Sequence, residues 1–292
     1  MASVSTVSAI LSGHATPDPS DVLSMFALPG RVALVTGGVR GIGLEIALAY
    51  AEAGATVYCL DLPAHPSEDF IKVQAHVAAL PALSIGILKG AKRRLEYTSC
   101  DVTHQKEMWA VVERIAEKEG RIDVCLCNAG VLHAADVLEY PAEDWQKIHD
   151  VNINGVLFTA QAAGRQMVKR NTRGSIITVA SISGHCTNQG MQWTAYNTSK
   201  AAVLQMTRSL ACELAPKGIR VNSISPGYVY TGMTKEFLSK NPTLDGKWRA
   251  QNPTGRLANP EELRGAALFL ASDASSYCNG SDILVDGGHC AW

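Results

Sequence analysis

Short apolar runs alternate with longer amphipathic segments along most of this chain, beginning near Arg31. An apolar run of about five residues bounded by turn residues predicts a buried strand, and apolar residues spaced three and four apart predict a helix. Strands that alternate with helices form a parallel sheet covered by helices on both faces. The pattern therefore predicts one α/β domain with a doubly wound parallel sheet and flanking helices.

The individual elements follow from the same alternation. Strands are predicted at 32–36, 56–60, 96–100, 124–127, 175–179, 220–225 and 282–285, and helices at 41–54, within 63–95, at 108–119, at 145–168, around 196–200 and from 260 onward. The polar stretch 232–253 predicts an irregular substrate lid, with Met233, Phe237 and Trp248 as apolar anchors. Residues 1–29 are predicted to form a loose N-terminal arm, so that the α/β domain spans 30–292.

Composition and charge narrow the class of protein. The 292 residues are enough for one sizeable core. The 26 basic and 27 acidic residues give a net charge of −1 without a basic stripe, so nucleic acid is not an expected partner. Residues 1–29 contain no Lys or Arg, which argues against a secretion signal or a mitochondrial presequence. We therefore expect a soluble, cytoplasmic protein.

Two further features exclude a membrane span and a metal site. The longest uncharged apolar run, 78–88, is interrupted by Pro81 and is too short to cross a bilayer. The eight cysteines include no C-x-x-C pair, and several lie in apolar, strand-like runs. They are interpreted as buried thiols rather than disulfides or zinc ligands. The basic cluster formed by Lys89, Lys92, Arg93 and Arg94 is interpreted as solvated.

Three glycines lie between the first predicted strand and the first predicted helix. Gly37, Gly41 and Gly43 have the spacing T-G-x-x-x-G-x-G. Backbone N–H groups at a helix N-terminus can approach a pyrophosphate only where no side chain intervenes. A purely structural turn could use the same residues, but the position between strand and helix favours dinucleotide binding. This arrangement is typical of a Rossmann-type domain.

Two charged residues beside this turn bear on the choice of cofactor. Asp61 ends the second predicted strand, where a carboxylate can accept hydrogen bonds from ribose hydroxyls and repel a 2′-phosphate. NAD is therefore predicted. Arg40, in the turn itself, argues for NADP because it could pair with a 2′-phosphate. NADP stays the second candidate, and a turn-forming role is the alternative for Asp61.

Tyr196 and Lys200 are four residues apart and share one face of a predicted helix. A phenol with a pKa of about 10 is a poor base at neutral pH unless a nearby positive charge favours its anion. Lys200 could supply that charge. An amphipathic helix with a half-buried Tyr and an exposed Lys is the structural alternative.

Taken in order, several motifs resemble the short-chain dehydrogenase/reductase family. They are Thr36-Gly37-Gly38-Val39-Arg40-Gly41-Ile42-Gly43, Asn128-Ala129-Gly130, Asn152, Ser181, Tyr196, Lys200 and Pro226-Gly227, within a resemblance that runs from about Arg31 to Trp292. The resemblance implies Tyr196 as catalytic base, Lys200 and Ser181 as its partners, and Asn152 as holder of a relay water. An ordinary helix asparagine is the alternative for Asn152. Assembly as a homotetramer or homodimer is also implied.

The same resemblance implies which residues contact the cofactor. They are Gly37, Val39, Arg40, Gly41, Ile42, Gly43, Asp61, Asp101, Val102, Asn128, Ala129, Gly130, Tyr196, Lys200, Pro226, Gly227, Val229 and Thr231. In the family, residues at the positions of Asp101 and Val102 contact the adenine. Those at Val229 and Thr231 hold the nicotinamide carboxamide or the phosphates.

Fourteen residues separate Ser181 from Tyr196, and this extended gap is similar to that of fungal polyol dehydrogenases. The segments 196–201, 209–213 and 285–292 resemble the same branch, whose members act on D-arabinitol with NAD or on mannitol and sorbose with NADP. The resemblance implies oxidation of a polyol such as D-arabinitol to its ketose. Candidate contacts to this small-molecule substrate are Ser183, Gln189, Trp193 and Tyr228, and Asn188 and Gln192 are further candidates for hydrogen bonds to a polyol.

Two other functions stay open at this point. Trp193, Met191 and Met233 equally suit a bulkier apolar ketone, so an NADPH-dependent carbonyl or ketoacyl reductase of secondary metabolism is the first alternative. A non-catalytic protein that senses the nucleotide is the second. Tight NADH binding without turnover would favour it.

Overall fold

The computed structural model describes residues 6–13, 21–81 and 93–292. The described strands are β1 Val32–Thr36, β2 Thr56–Asp61, β3 Arg94–Ser99, β4 Val124–Cys127, β5 Ser175–Val179, β6 Arg220–Pro226 and β7 Asp282–Val285. The described helices are α1 Val7–Leu11, α2 Asp21–Ser24, α3 Gly41–Glu52, α4 Glu68–Ala79, α5 Gln105–Glu119, α6 Ala142–His149, α7 Gly155–Lys169, α8 Thr194–Leu214, α9 Gly232–Lys240, α10 Pro242–Ala250 and α11 Arg264–Ala271.

The strands form one parallel sheet in the order β3-β2-β1-β4-β5-β6-β7. The chain builds outward from β1 in one direction and then outward from β4 in the other. The predicted doubly wound sheet is thereby confirmed. The direction of winding reverses between β1 and β4, and ligands of open α/β sheets bind at the carboxyl ends of the strands beside such a reversal.

Both faces of the central strands are buried, which explains why β1, β2 and β4 are apolar at most positions. In β1, Val32 and Leu34 join a core with residues of α5, α7 and α8. Ala33 and Val35 join a second core with residues of α3, α4 and α11. Successive strand side chains point to opposite faces, so a strand between two helix layers needs apolar residues at every position.

A third buried cluster lies beyond the carboxyl ends of β5 and β6. It contains Ile182, Trp193, Tyr228, Leu238, Trp248 and Leu257. The ring of Trp248 stacks on that of Tyr228 at 4.2 Å and on that of Phe237 at 5.8 Å, with interplanar angles of 3° and 8°. This aromatic cluster joins the loop after β6 to the segment predicted as a lid.

The lid is helical rather than irregular, so that prediction was wrong. Thr231 caps α9 by accepting a hydrogen bond from the N–H of Thr234 at 3.3 Å, and Pro242 occupies the first turn of α10. Both residue types favour helix starts in these positions. The polar composition concealed two short helices whose apolar residues Phe237 and Trp248 pack inward. The side chain of Met233 lies outside the described part of the structure.

The single helix predicted at 145–168 is interrupted. Helix α6 ends at His149, a π-helical segment spans Asp150–Asn154, and α7 begins at Gly155. Inside this segment the Asn152 amide exchanges two hydrogen bonds of 2.9 Å with the backbone of Val131. The helical periodicity of the local sequence continues through the interruption and does not reveal it. The π-helical segment is distinguished from a continuous α-helix by its contact with the loop after β4.

The last residues of the predicted arm contact the sheet domain that follows residue 30. Leu28 is fully buried, and its N–H donates to the Ala53 carbonyl at 2.8 Å. Phe26 packs on Phe269 with ring centroids 6.5 Å apart. The predicted arm therefore ends in a segment that contributes to the core.

Two other predictions need adjustment. Strand β3 begins at Arg94, two residues before the predicted start, and the Arg94 guanidinium pairs with the largely buried carboxylate of Glu119 at 2.7 Å. Arg94 is thus not simply solvated, while Lys89 and Lys92 lie outside the described residues. Within the part that the structure describes, no helix has the length and hydrophobicity to cross a membrane.

Candidate active site

The turn between β1 and α3 is closed by contacts that leave no room for side chains. A Cβ on Gly43 would collide with the Gly37 carbonyl and would lie 2.6 Å from the Asn128 amide nitrogen. That amide donates to the carbonyls of Thr36 and Gly37 at 2.9 and 3.1 Å. Asn128 thus ties the end of β4 to the turn after β1, and Gly43 is required for the turn to close.

The N-terminus of α3 faces the loop after β6. Gly41, with φ +53°, opens the helix, and Thr231 lies 3.6 Å from the position of its absent Cβ. The side chain of Arg40 makes no capping hydrogen bond, and the first turn of α3 carries no acidic residue. Uncapped N–H groups at a helix N-terminus fit an anion. These residues therefore suit the pyrophosphate of a dinucleotide.

Asp61 lies at the rim of the same turn. Its carboxylate accepts hydrogen bonds from the N–H of Leu62 at 2.9 Å and from the N–H of Val39 at 3.4 Å. Arg40 is exposed. The structure therefore places a carboxylate against the turn that would carry the adenosine side of a dinucleotide, whereas the guanidinium lies at the surface.

The other predicted cofactor residues surround this region at the carboxyl edge of the sheet. Asp101 accepts hydrogen bonds from the N–H and the hydroxyl of Thr103, both at 2.8 Å, and Val102 is buried. Val229 bridges to Ala258 beyond β6. The remaining residues lie at the ends of β1, β4 and β6 or in the first turn of α3: Gly37, Ile42, Ala129, Gly130, Pro226 and Gly227.

Three of the four predicted catalytic side chains meet where β5 ends against α8. Ser181 follows β5, is buried, and accepts a hydrogen bond from the Ser183 N–H at 3.1 Å. Ser181 also acts on Tyr196, since it lowers the pKa of the phenol. The Lys200 ammonium is 5.6 Å from the centroid of the Tyr196 ring and donates to the Val179 carbonyl at 2.8 Å. The sequence pair Tyr196 and Lys200 is thus brought to the end of β5.

Asn152, the fourth predicted residue, reaches this group through Ser199. The fully buried Asn152 amide donates to the Ser199 hydroxyl at 3.0 Å, and that hydroxyl donates to the Tyr196 carbonyl at 2.7 Å. Sequence reasoning missed Ser199. Its position three residues after Tyr196, and hence on the same helix face, was the available signal.

Burial sets the protonation of the two central groups. It raises the pKa of Tyr196, because the phenolate would lose its hydration, and the hydrogen bond from Ser181 opposes this effect. Burial also lowers the pKa of Lys200 to about 8, because the ammonium is the charged form in its case. The chain alone therefore disfavours the phenolate, and a positive charge brought to this site would favour it.

The four predicted substrate residues have different surroundings. The Ser183 hydroxyl donates to the Asn188 side chain at 2.7 Å, and Asn188 donates to the Tyr228 hydroxyl at 3.1 Å. All three are buried. This chain of hydrogen bonds, in which Asn188 is the link, ties the turn after Ser181 to the aromatic cluster.

The other two predicted substrate residues differ in their distance from the catalytic candidates. The ring of Trp193 meets that of Tyr196 edge-on at 6.2 Å, so Trp193 lies at the candidate site. Gln189 is exposed, contacts Gln251 at 3.4 Å, and lines a surface cavity together with C-terminal residues. The structure does not bring Gln189 into contact with the catalytic candidates.

Comparison with known proteins agrees with this geometry. A family model described as enoyl-(acyl carrier protein) reductase matches residues 37–289. Sorbose reductase of Schizosaccharomyces pombe is 41% identical, over 92% of this chain and 99% of its own. A probable NADP-dependent mannitol dehydrogenase of Yarrowia lipolytica is 37% identical, over 94% of each chain. The ribulose-forming D-arabinitol 2-dehydrogenase of Scheffersomyces stipitis is 35% identical, over 94% and 98%.

A solved structure shows the same architecture. A short-chain type dehydrogenase/reductase from Mycobacterium marinum superposes with a TM-score of 0.81 and 42% identity, covering 92% of this chain and 98% of the other. The fold and the relatives together define an NAD(P)-dependent oxidoreductase. The chain belongs to the short-chain dehydrogenase/reductase family.

The closed turn generates a prediction about cofactor affinity. We expect Gly43→Ala to weaken NADH and NADPH binding by at least about tenfold, equivalent to about 1.4 kcal/mol, because the new Cβ must push the Gly37 carbonyl out of place. Fluorescence titration measures the affinity, and far-UV circular dichroism reports whether the variant folds. Gly265→Ala is the matched control, since a Cβ there contacts nothing within 4 Å. Equal affinity in both folded variants would contradict the assignment.

Proposed function

We propose that this chain interconverts a polyol, such as D-arabinitol, and its ketose by hydride transfer with NAD. The observation that carries the proposal is the buried group of Ser181, Tyr196 and Lys200 at the carboxyl end of β5, linked to Asn152. A hydroxyl, a phenol and an ammonium gathered there suit proton transfer at a secondary alcohol.

Each side chain has a role that its contacts support. Tyr196, as phenolate, takes the proton of the substrate hydroxyl. Ser181 accepts the Ser183 N–H, so its own proton is available to Tyr196 or to the substrate oxygen. Bound NAD supplies the hydride acceptor and, when oxidised, a positive ring. Lys200 uses one of its three donors on Val179, which leaves two for the cofactor ribose.

The position of Gly130, which has no side chain, supports a proton path between Lys200 and Asn152. The absent Cβ of Gly130 would lie 3.4 Å from Asn152 Oδ1 and 3.6 Å from Lys200 Nζ. Both amide hydrogens of Asn152 are engaged by Val131 and Ser199, whereas its oxygen accepts only the Val131 N–H among the described residues. The second lone pair can hold a water, and we assign Asn152 the task of holding it.

NAD is proposed as the cofactor because of Asp61. A carboxylate at the rim of the glycine turn would receive two ribose hydroxyls but would repel a 2′-phosphate. Arg40 is exposed, so we give it less weight than Asp61 in the choice between NAD and NADP. The name of the Yarrowia relative, which specifies NADP, supports the opposite preference and makes the cofactor a direct object of experiment.

The polyol substrate is supported by unsatisfied donors as well as by the relatives. The indole nitrogens of Trp193 and Trp248 are buried, and neither has a hydrogen-bond partner among the described residues. A buried donor without a partner is unfavourable, and a substrate hydroxyl could accept from it. The named relatives are a sorbose reductase, a mannitol dehydrogenase and a D-arabinitol 2-dehydrogenase.

A second candidate follows from the same aromatic cluster. The ring of Trp193 contacts Tyr196, and the rings of Phe237 and Trp248 pack on Trp193. These apolar surroundings of the candidate base would also suit a bulkier ketone reduced with NADPH. A protein that only senses the nucleotide would need none of the catalytic group. Assembly as a homotetramer or homodimer and a cytoplasmic location stay predictions.

Replacement of the phenol tests the catalytic assignment. We expect Tyr196→Phe to lower polyol turnover by roughly 10³-fold, because the base is removed, while cofactor affinity changes by no more than a few-fold. Initial rates from NADH absorbance and fluorescence titration measure the two quantities. Tyr277→Phe, at a fully exposed tyrosine, should behave like the unsubstituted protein. Turnover of Tyr196→Phe within a few-fold of that protein would refute the role of Tyr196.

A substrate panel distinguishes the two candidate enzymes. Rates with NAD⁺ and NADP⁺ should be measured for D-arabinitol, xylitol, D-sorbitol, D-mannitol and a bulky aromatic secondary alcohol. We expect a pentitol or hexitol to be oxidised with a strong NAD⁺ preference. Reaction of the bulky alcohol alone would replace the polyol proposal with the reductase, and tight NADH binding without turnover would favour the sensor.

The carboxylate beside the glycine turn can be tested separately. Asp61→Asn keeps the shape and one acceptor oxygen but removes the charge, so we expect the ratio of kcat/KM for NAD⁺ to that for NADP⁺ to fall roughly 10- to 100-fold. Asp69→Asn is the control, because Asp69 is an exposed carboxylate on α4. An unchanged ratio in Asp61→Asn would show that Asp61 does not read the 2′ position.

A further inference from the structure

Two cysteine thiols that the proposed mechanism does not use lie close together in the fold, although they are far apart in sequence. The sulfur atoms of Cys186 and Cys290 are 3.8 Å apart, although 104 positions separate them in sequence. Cys186 lies in the loop after Ser181, and Cys290 lies in the turn that follows β7. Both residues are partly exposed free cysteines. Neither was predicted as anything but a buried thiol.

Access distinguishes this pair from the other close pair of thiols. Cys186 and Cys290 both line a surface cavity of about 580 Å³. Cys125 and Cys127 have sulfur atoms 3.9 Å apart, but both are buried inside β4. An oxidant of low molecular weight can therefore reach the first pair and not the second.

We propose that Cys186 and Cys290 are a redox-active dithiol that closes to an intrachain disulfide with a small-molecule disulfide such as glutathione disulfide. The Cys186 thiolate attacks one glutathione sulfur, and the first glutathione thiolate leaves. Cys290 then attacks the sulfur of Cys186, which releases the second. The protons of the two cysteines go to the two glutathione thiolates, and two electrons pass from the protein to glutathione.

The surroundings of Cys290 affect the rate of this exchange. Burial and the adjacent Cys186 raise the pKa of Cys290 to about 12, so Cys290 is almost entirely a thiol at neutral pH. Bond formation then requires the sulfur atoms to approach by roughly 1.8 Å, to a disulfide length of about 2.05 Å. Because the resolving thiol is mostly protonated, oxidation is slow near neutral pH.

The disulfide would link the loop after Ser181 to the turn after β7, which contacts the aromatic cluster and the residue that follows the lid segment 232–253. The turn that carries Cys290 also places the His289 ring 5.4 Å from that of Tyr228. Just before it, the carbonyl of Gly287 accepts the N–H of Thr254 at 3.2 Å. The covalent loop from Cys186 to Cys290 encloses α8, β6, the lid helices, α11 and β7. Closing so long a loop reduces the freedom of the unfolded chain.

Peptide mapping of the full chain tests the proposal. After incubation with glutathione disulfide and blocking of free thiols, we expect a peptide in which Cys186 and Cys290 are joined, with the loss of two hydrogen atoms. The melting temperature should rise by roughly 4 to 8 °C. Dithiothreitol should reverse both changes.

Matched variants complete the test. Cys186→Ser and Cys290→Ser should abolish the joined peptide and the rise in melting temperature, whereas Cys212→Ser, at an exposed cysteine, should leave both intact. Glutathione retained on Cys186 or Cys290 without a joined peptide would overturn the proposal, as would a bond between two chains. The map of the unsubstituted protein decides the matter even if a serine variant does not fold.

Discussion

The burial of the Lys200 ammonium is the constraint on which the arrangement of the site depends. Lys200 is only 4% exposed, and its partner among the described residues is the neutral Val179 carbonyl. Burial lowers its pKa to about 8. The cost of burying the ammonium therefore reduces the free energy of unfolding by its full amount below about pH 8. This cost disappears as the pH rises past the ordinary pKa of 10.5. The packing of α8 against β5 and the π-helical segment must offset this energy. That packing also holds Tyr196 beside Ser181.

The same residues build the cofactor region and the centre of the fold. Asn128 bonds to the backbone of Thr36 and Gly37, and Gly43 closes against both the Gly37 carbonyl and the Asn128 amide. This junction joins the two halves of the sheet at the point where the winding reverses. Substitutions there therefore alter folding and nucleotide binding together, whereas Asp61, at the rim, can change the choice of nucleotide with less effect on the core.

The sequence predicted those elements whose structure is determined by a local pattern of residues. It did not predict the elements whose structure is determined by contacts with distant parts of the chain. Strands β1, β4 and β5 have the predicted bounds because mainly apolar runs mark strands buried on both faces. Strand β7, at the edge of the sheet, also has the predicted bounds. The π-helical segment was missed because its cause, the pairing of Asn152 with Val131, lies in another part of the chain. Ser199 was missed as a link for the same reason. The lid helices were missed because caps, rather than periodicity, define them.

The aromatic rings around Trp248 have a consequence for how substrate range can change among related sequences. Trp248 lies between Tyr228 and Phe237, so a substrate that displaces one ring must disturb the others. With substrate placed beside this cluster, as proposed above, a small substrate would leave the rings in place, whereas a larger one would have to displace them together, which sets an energetic threshold. A smaller residue at position 248 would remove the threshold in one step. Evolution toward bulkier substrates is then expected to be abrupt, through this single position, rather than gradual.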